Sequence, residues 1–245
     1  MDSKSFKDTQ RIYSMGSNAG MWHEKQLKID KDIGHRYVDV LIRAGIMPST
    51  KEGLSDFVIL SPSANQRLIE TQFAVKLNQL SVDVEDDYKP KIVCSDGFGI
   101  EVNVETTVSE ERKYVSSFIP GFSGALPTFD HVVIETISSE ASRLPLPNRS
   151  VSLIWDRLGA LWNYMNYAFW HNDSFQEEAQ IILNEYQRLL KDNGKVIIDR
   201  GNVEVTPVDS TFERMKGVDF EKLGWDISLL GDGSTELAVL TRKVQ

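Results

Sequence analysis

The chain has 245 residues, 41% of them hydrophobic and 26% charged, enough to bury the core of one large domain with an appendage. Its 27 Lys/Arg against 36 Asp/Glu give a net charge of −9, which speaks against affinity drawn from a phosphate backbone, so nucleic acid is not an expected partner. No apolar run approaches the roughly 18 residues of a membrane span, and the opening MDSKSFKDTQ lacks the apolar stretch of a secretory signal. Cys94 is the single cysteine, so the expectation is a cytoplasmic protein without an intrachain disulfide, a thiolate metal cluster or a membrane partner.

In YVDVLIRAGI (37–46), Val38, Leu41, Ile42 and Ile46 recur at helical spacing until Pro48 stops the pattern. Residues 1–52 therefore read as an N-terminal helical cap and 53–245 as the main domain. Phe57–Leu60 is short, partly β-branched and followed by Ser-Pro-Ser, which predicts a buried strand. Leu68, Phe73, Ala74, Leu77 and Leu80 then predict a helix within 65–80, the acidic 81–91 a loop, and Lys91–Ser95 a second buried strand ending at Asp96-Gly97. Across 98–130, GIEVNVETTV alternates like a strand, SEERKYVSSFI reads as a short helix and PGFSGALPTFD as a loop.

Strands are predicted again at His131–Ile137 and, after the turn-rich LPLPNRS, at Val151–Trp155. Ser174 and Glu177 have capping-box spacing ahead of a stripe of Phe175, Ala179, Ile182, Tyr186 and Leu189, a helix that Gly194 is expected to terminate. Lys195–Ile198 reads as a strand, and 225–241 as an antiparallel hairpin around Gly-Asp-Gly-Ser. Alternating strands and helices imply an α/β fold with a mostly parallel sheet, helices on both faces and this hairpin at one edge. Ligands of such sheets bind beyond the carboxyl ends of the strands, which directs attention to residues just after Leu60, Ser95, Ile137, Trp155 and Ile198.

From Ser139 to Arg200, SEASRLPLPNRSVSLIWDRLGALWNY followed by EEAQIILNEYQRLLKDNGKVIIDR resembles the second half of class I S-adenosylmethionine-dependent methyltransferases. An acidic-Ala segment precedes an LP-hydrophobic-P turn and a strand, and Glu185, Arg188, Leu189, Lys191 and Gly194 match the family's Glu-x-x-Arg-x-Leu-Lys-x-x-Gly. The resemblance implies a Rossmann-like fold and methyl transfer from S-adenosylmethionine to a small-molecule or protein acceptor. It also implies that Asp96 accepts the ribose hydroxyls and that Glu140 and Ala141 border the adenine; each carboxylate could equally be a strand-end residue solvated by water.

The family's Gly-x-Gly-x-Gly falls on Ser61-Pro62-Ser63-Ala64-Asn65, and its upstream acidic residue falls on Ile59. Glycine serves there because the backbone turns tightly against the ligand, and Ser61, Ser63 and Asn65 are small without being equivalent. The loop either holds the cofactor in altered geometry or has lost it, which leaves a catalytically inactive binding or assembly module as the alternative function.

Trp162, Tyr164, Tyr167, Phe169 and Trp170 follow the fourth strand, where the family faces its substrate; the rings could form a cage for a cationic methyl sulfonium or a flat substrate, or pack between helix and sheet. His171 beside Asp173 has the chemistry of a general base or of an ordinary helix end. Asp156, ending the fourth strand, is the other candidate catalytic group. No metal is expected, since His23, His35, His131 and His171 have no metal-binding spacing.

Overall fold

Apolar runs of four to six residues between turn formers are too short to span a core as helices, and in the computed structural model the described ones are strands. The structure describes residues 36–62, 68–81, 89–96, 129–157, 159–199, 215–232 and 236–243. Helical backbone over 36–43 (α1) and a 3-10 turn at Lys51–Gly53 lead into β1 (Val58–Pro62), α2 (Leu68–Leu80), β2 (Lys91–Asp96), β3 (Val133–Ser138) and β4 (Val151–Asp156). The chain continues with α3 (Ala160–His171), α4 (Phe175–Leu189), β5 (Leu190–Asp199), β6 (Trp225–Leu230) and β7 (Leu237–Arg242). The readings of 98–128 lie outside the described residues.

The seven strands form one sheet in the order β3-β2-β1-β4-β5-β7-β6. β1 to β5 pair in parallel, and β7 runs antiparallel to both β5 and β6. Successive strand side chains point to opposite faces, so each central strand feeds two cores. Ile59, Ile92, Leu153, Trp155 and Ile197 join Tyr37, Val38 and Leu41 of α1 and Phe73, Ala74 and Leu77 of α2 on one face. Leu60, Val93, Ile154, Val196 and Ile198 join Leu161 and Met165 of α3 and Ile182, Tyr186 and Leu189 of α4 on the other. The described part of the N-terminal segment thus shares a core with the sheet: the Tyr37 and Phe73 rings meet the Trp155 ring at centroid distances of 5.3 and 5.2 Å.

α4 follows its sequence signals closely. Ser174 caps it by accepting a hydrogen bond from Glu177 N, acidic Glu177 and Glu178 sit in the first turn, and Arg188 sits in the last, each sign matching the helix dipole. Its end departs from expectation. The helix stops at Leu189, and Gly194 lies inside β5 instead of terminating the helix. The glycine spares its neighbours a shift: a Cβ would lie 2.7 Å from Leu190 Cδ2, 3.1 Å from Lys191 O and 3.2 Å from Ser152 O on the neighbouring strand. β1 also runs past its predicted end, taking Ser61 and Pro62 into register with Cys94 and Ser95, so the first two residues aligned with the glycine loop are strand. β6 and β7 lie within one residue of the predicted hairpin strands.

Candidate active site

The strand order reverses direction between β1 and β4, whose connections lead to opposite sides of the sheet, and this is where open α/β sheets form a crevice at their carboxyl edge. Pro62 ends β1 and Asp156 ends β4. Gly159 caps α3 between them: a Cβ there would lie 2.5 Å from Pro62 O and would also collide with Asp156 Oδ1. Only a hydrogen fits in that position.

Asp156 is 1% exposed. Its Oδ2 accepts from Leu161 N at 3.0 Å, which supplies the cap α3 lacks from its own N-cap residue, and from Tyr186 Oη of α4 at 2.5 Å. Burial pushes the carboxyl from the ordinary 3.8 up to about 6, against the lowering effect of those hydrogen bonds, and the Asp199 carboxylate nearby raises it further. The Tyr186 phenol is driven well above its usual range, first by burial and then by Asp156. Asp199, ending β5 and also 1% exposed, accepts from Arg157 Nε at 2.7 Å. The edge formed by β4 and β5 is therefore a buried polar network joining β4, β5, α3 and α4.

The β1 to β3 side is built differently. The buried Ser61 hydroxyl donates to Glu70 Oε1 in the first turn of α2 at 2.5 Å, so this predicted cofactor contact is engaged within the protein. Two residues beyond β3, Glu140 starts a turn in which Arg143 N donates to Glu140 O and the Ser139 hydroxyl donates to Arg143 O. Ala141 is buried against the core of α3 and α4. Tyr164, near the first turn of α3, donates its phenol proton to Glu140 Oε1 at 2.8 Å. Burial is the main cause that raises the Tyr164 phenol above its ordinary range; a hydrogen bond involving Ser142 opposes the shift and Glu140 adds to it. The phenol is a donor across the working pH range.

Of the predicted site residues, the structure thus brings Glu140 and Tyr164 into contact. It does not bring Asp156 and His171 together, since α3 starts against Asp156 and His171 is its last residue, about 16 Å further along the axis at 1.5 Å per residue. His171 and Asp173 are exposed, and Trp162 is half-buried. Ser63 and Asn65 lie outside the described residues, as do the side chains of Asp96, Tyr167 and Trp170. Glu70, Tyr186 and Asp199 were not predicted. Tyr186 was legible only as one apolar stripe position, and Glu70 only as an acidic residue in a helix's first turn.

The Glu-x-x-Arg pair that carried the resemblance is a clamp on the preceding turn. Glu185 accepts from Leu144 N at 2.8 Å and from Arg188, while Arg188 donates to Leu144 O, Leu146 O and Asn148 Oδ1. All the carbonyls it reaches belong to 144–148, so the motif secures the LPLPN turn that delivers the chain to β4.

The strand order, the terminal hairpin and the helices on both faces give the chain the Rossmann-like fold of class I S-adenosylmethionine-dependent methyltransferases. Among solved structures it is similar to a protein of Methanococcus maripaludis assigned to the S-adenosyl-L-methionine-dependent methyltransferases, with 12% identity, a TM-score of 0.52 and coverage of 91% of this chain and 92% of that one. It also matches a SAM-dependent methyltransferase of Thermotoga maritima (13% identity, TM-score 0.45, 93% and 97% covered) and one of Aquifex aeolicus (18%, 0.42, 78% and 85%). No protein-family model and no curated protein sequence matches the chain. Among the described residues, no group of His, Cys, Asp or Glu could hold a metal ion, and no helix is long and apolar enough to cross a membrane.

Proposed function

We propose that the chain binds S-adenosylmethionine beyond the carboxyl ends of β1 to β3 and transfers its methyl group to a small-molecule or protein acceptor. The observation that carries this reading is the Glu140–Tyr164 pair, a half-buried carboxylate held two residues beyond β3 in the segment to which the resemblance assigns the adenine-facing residues. The donor set fits a nucleoside: Glu140 has Oε2 left as an acceptor among the described residues, and a ribose or adenine offers hydroxyl or amino donors.

S-adenosylmethionine supplies, when bound, a methyl group already activated on a sulfonium. The protein's task is then to align an acceptor with it and exclude water, which requires no catalytic triad. Asp96 and Glu140 would hold the nucleoside and the aromatic residues of α3 would face the acceptor. Asp156, buried and accepting two hydrogen bonds from the protein, serves in this reading as an anchor of α3 and not as the base.

A second reading, a binding or assembly module without catalysis, is favoured by the Ser61 hydroxyl being engaged by Glu70 and by Gly159 filling the gap between Pro62 and Asp156. Calorimetric titration with S-adenosylmethionine and S-adenosylhomocysteine separates the two. Micromolar binding that is lost in Asp96→Ala supports the methyltransferase, whereas a folded sample that binds neither ligand overturns it in favour of the module.

A further inference from the structure

Resting on the reading just given, we infer that Tyr164 is a positioning residue that sets the Glu140 carboxylate for the nucleoside, and that this bond couples ligand binding beyond β3 to the acceptor-side helix α3. The coupling follows from topology. β3 and β4 are separated in the sheet by β2 and β1, and α3 follows β4, so the Tyr164–Glu140 bond joins segments that leave strands with two others between them. One end is anchored by a turn with its own backbone bond, Arg143 N to Glu140 O at 3.0 Å. The other end is a ring packed against the core on a helix whose start is held by Asp156.

A glutamate side chain left alone samples many rotamers, and a ligand that needs one of them must select it at a cost in affinity. The phenol restrains that freedom by holding Oε1, which leaves Oε2 as the oxygen for a ligand. A donor on the ligand that engages Oε2 then tightens a bond whose far end is α3, which carries Trp162, Tyr167, Trp170 and His171. Nucleoside binding therefore stiffens the helix that the acceptor meets, and cofactor precedes acceptor.

The test uses the full chain and S-adenosylhomocysteine. Tyr164→Phe is expected to weaken binding about tenfold with the unfolding temperature little changed, and Glu140→Gln to weaken it similarly. The double variant is expected to bind no worse than Glu140→Gln, because the coupling runs from the phenol to the ligand through that carboxylate. The ligand is expected to slow hydrogen exchange over 160–171 in the wild type but not in Tyr164→Phe. Wild-type affinity in Tyr164→Phe, or losses that simply add in the double variant, overturns the coupling, since a purely structural tyrosine behaves in one of those ways. Should Tyr164→Phe not fold, exchange over 160–171 that is unaffected by ligand in the wild type overturns it as well. Absence of any binding to the wild type overturns the underlying methyltransferase reading and the coupling with it, whereas failure of the coupling alone leaves wild-type binding intact.

Discussion

Acidic residues at the two sides of the sheet's carboxyl edge are treated in opposite ways. On the β4 and β5 side, Asp156 and Asp199 are almost wholly buried and are met by Leu161 N, Tyr186 and Arg157, and behind them Glu185 is met by Leu144 N and Arg188. Beyond β3, Glu140 is half-buried and, among the described residues, uses one oxygen. Asp156, Asp199 and Glu140 are all carboxylates at or just past the carboxyl end of a strand, so charge and approximate position do not distinguish a carboxylate that holds the fold from one with acceptor capacity to spare. Burial and the number of protein donors do.

Removing a fold-holding carboxylate should be costly. Asp156→Ala leaves Leu161 N and the Tyr186 hydroxyl without acceptors in a dry site, and a loss of about 3 kcal/mol is expected from urea unfolding. If the loss is below about 1 kcal/mol, the two sides do not differ as described.

The same residue gives a pH signature. Folding raises the Asp156 carboxyl from 3.8 to about 6, so the native state holds this proton more tightly than the unfolded chain. The group favours folding fully below pH 3.8, loses that contribution as pH rises through about 6, and contributes none of it above. Wild type should therefore lose stability relative to Asp156→Asn between pH 4 and 7, by about 2 kcal/mol. A pH-independent difference between the two would remove the buried, ionisable carboxylate from the account.

Glu185→Ala should cost somewhat less, about 2 kcal/mol, because Arg188 is one-third exposed and can recover water. It sharpens the comparison through what it leaves alone: affinity for S-adenosylhomocysteine should stay within about twofold, in contrast to Tyr164→Phe, which should spare stability and lower affinity. Calorimetry beside denaturant titration reads both quantities on one sample.

Much of the architecture was legible because strands and helices here obey simple periodicities. The hairpin of β6 and β7, the buried runs of β2 and β4 and the stripe of α4 were each visible as patterns of apolar residues. What misled was local chemistry with two uses. Gly194 reads as a helix terminator, yet it is a spacer beside Ser152 O; Ser61 reads as loop, yet it extends β1 and is engaged by Glu70 nine residues later. The candidate site was only half readable, since a bond between Glu140 and Tyr164 depends on the sheet order that brings their elements together and leaves no signature in spacing. The family motif at Glu185 and Arg188 pointed to the fold because clamping a turn is a fold-level task.

Trp155 gives the molecule a built-in optical reporter. Its indole is fully enclosed, with Tyr37 of α1 against it at 57° and Phe73 of α2 nearly edge-on at 79°, and its Nε1 has no hydrogen-bond partner among the described residues. An indole in so dry a setting emits at short wavelength, and unseating α1 would open it to water and shift the emission to the red. A variant keeping Trp155 as its sole tryptophan would therefore follow, in real time, whether the N-terminal helix stays docked when S-adenosylhomocysteine is added.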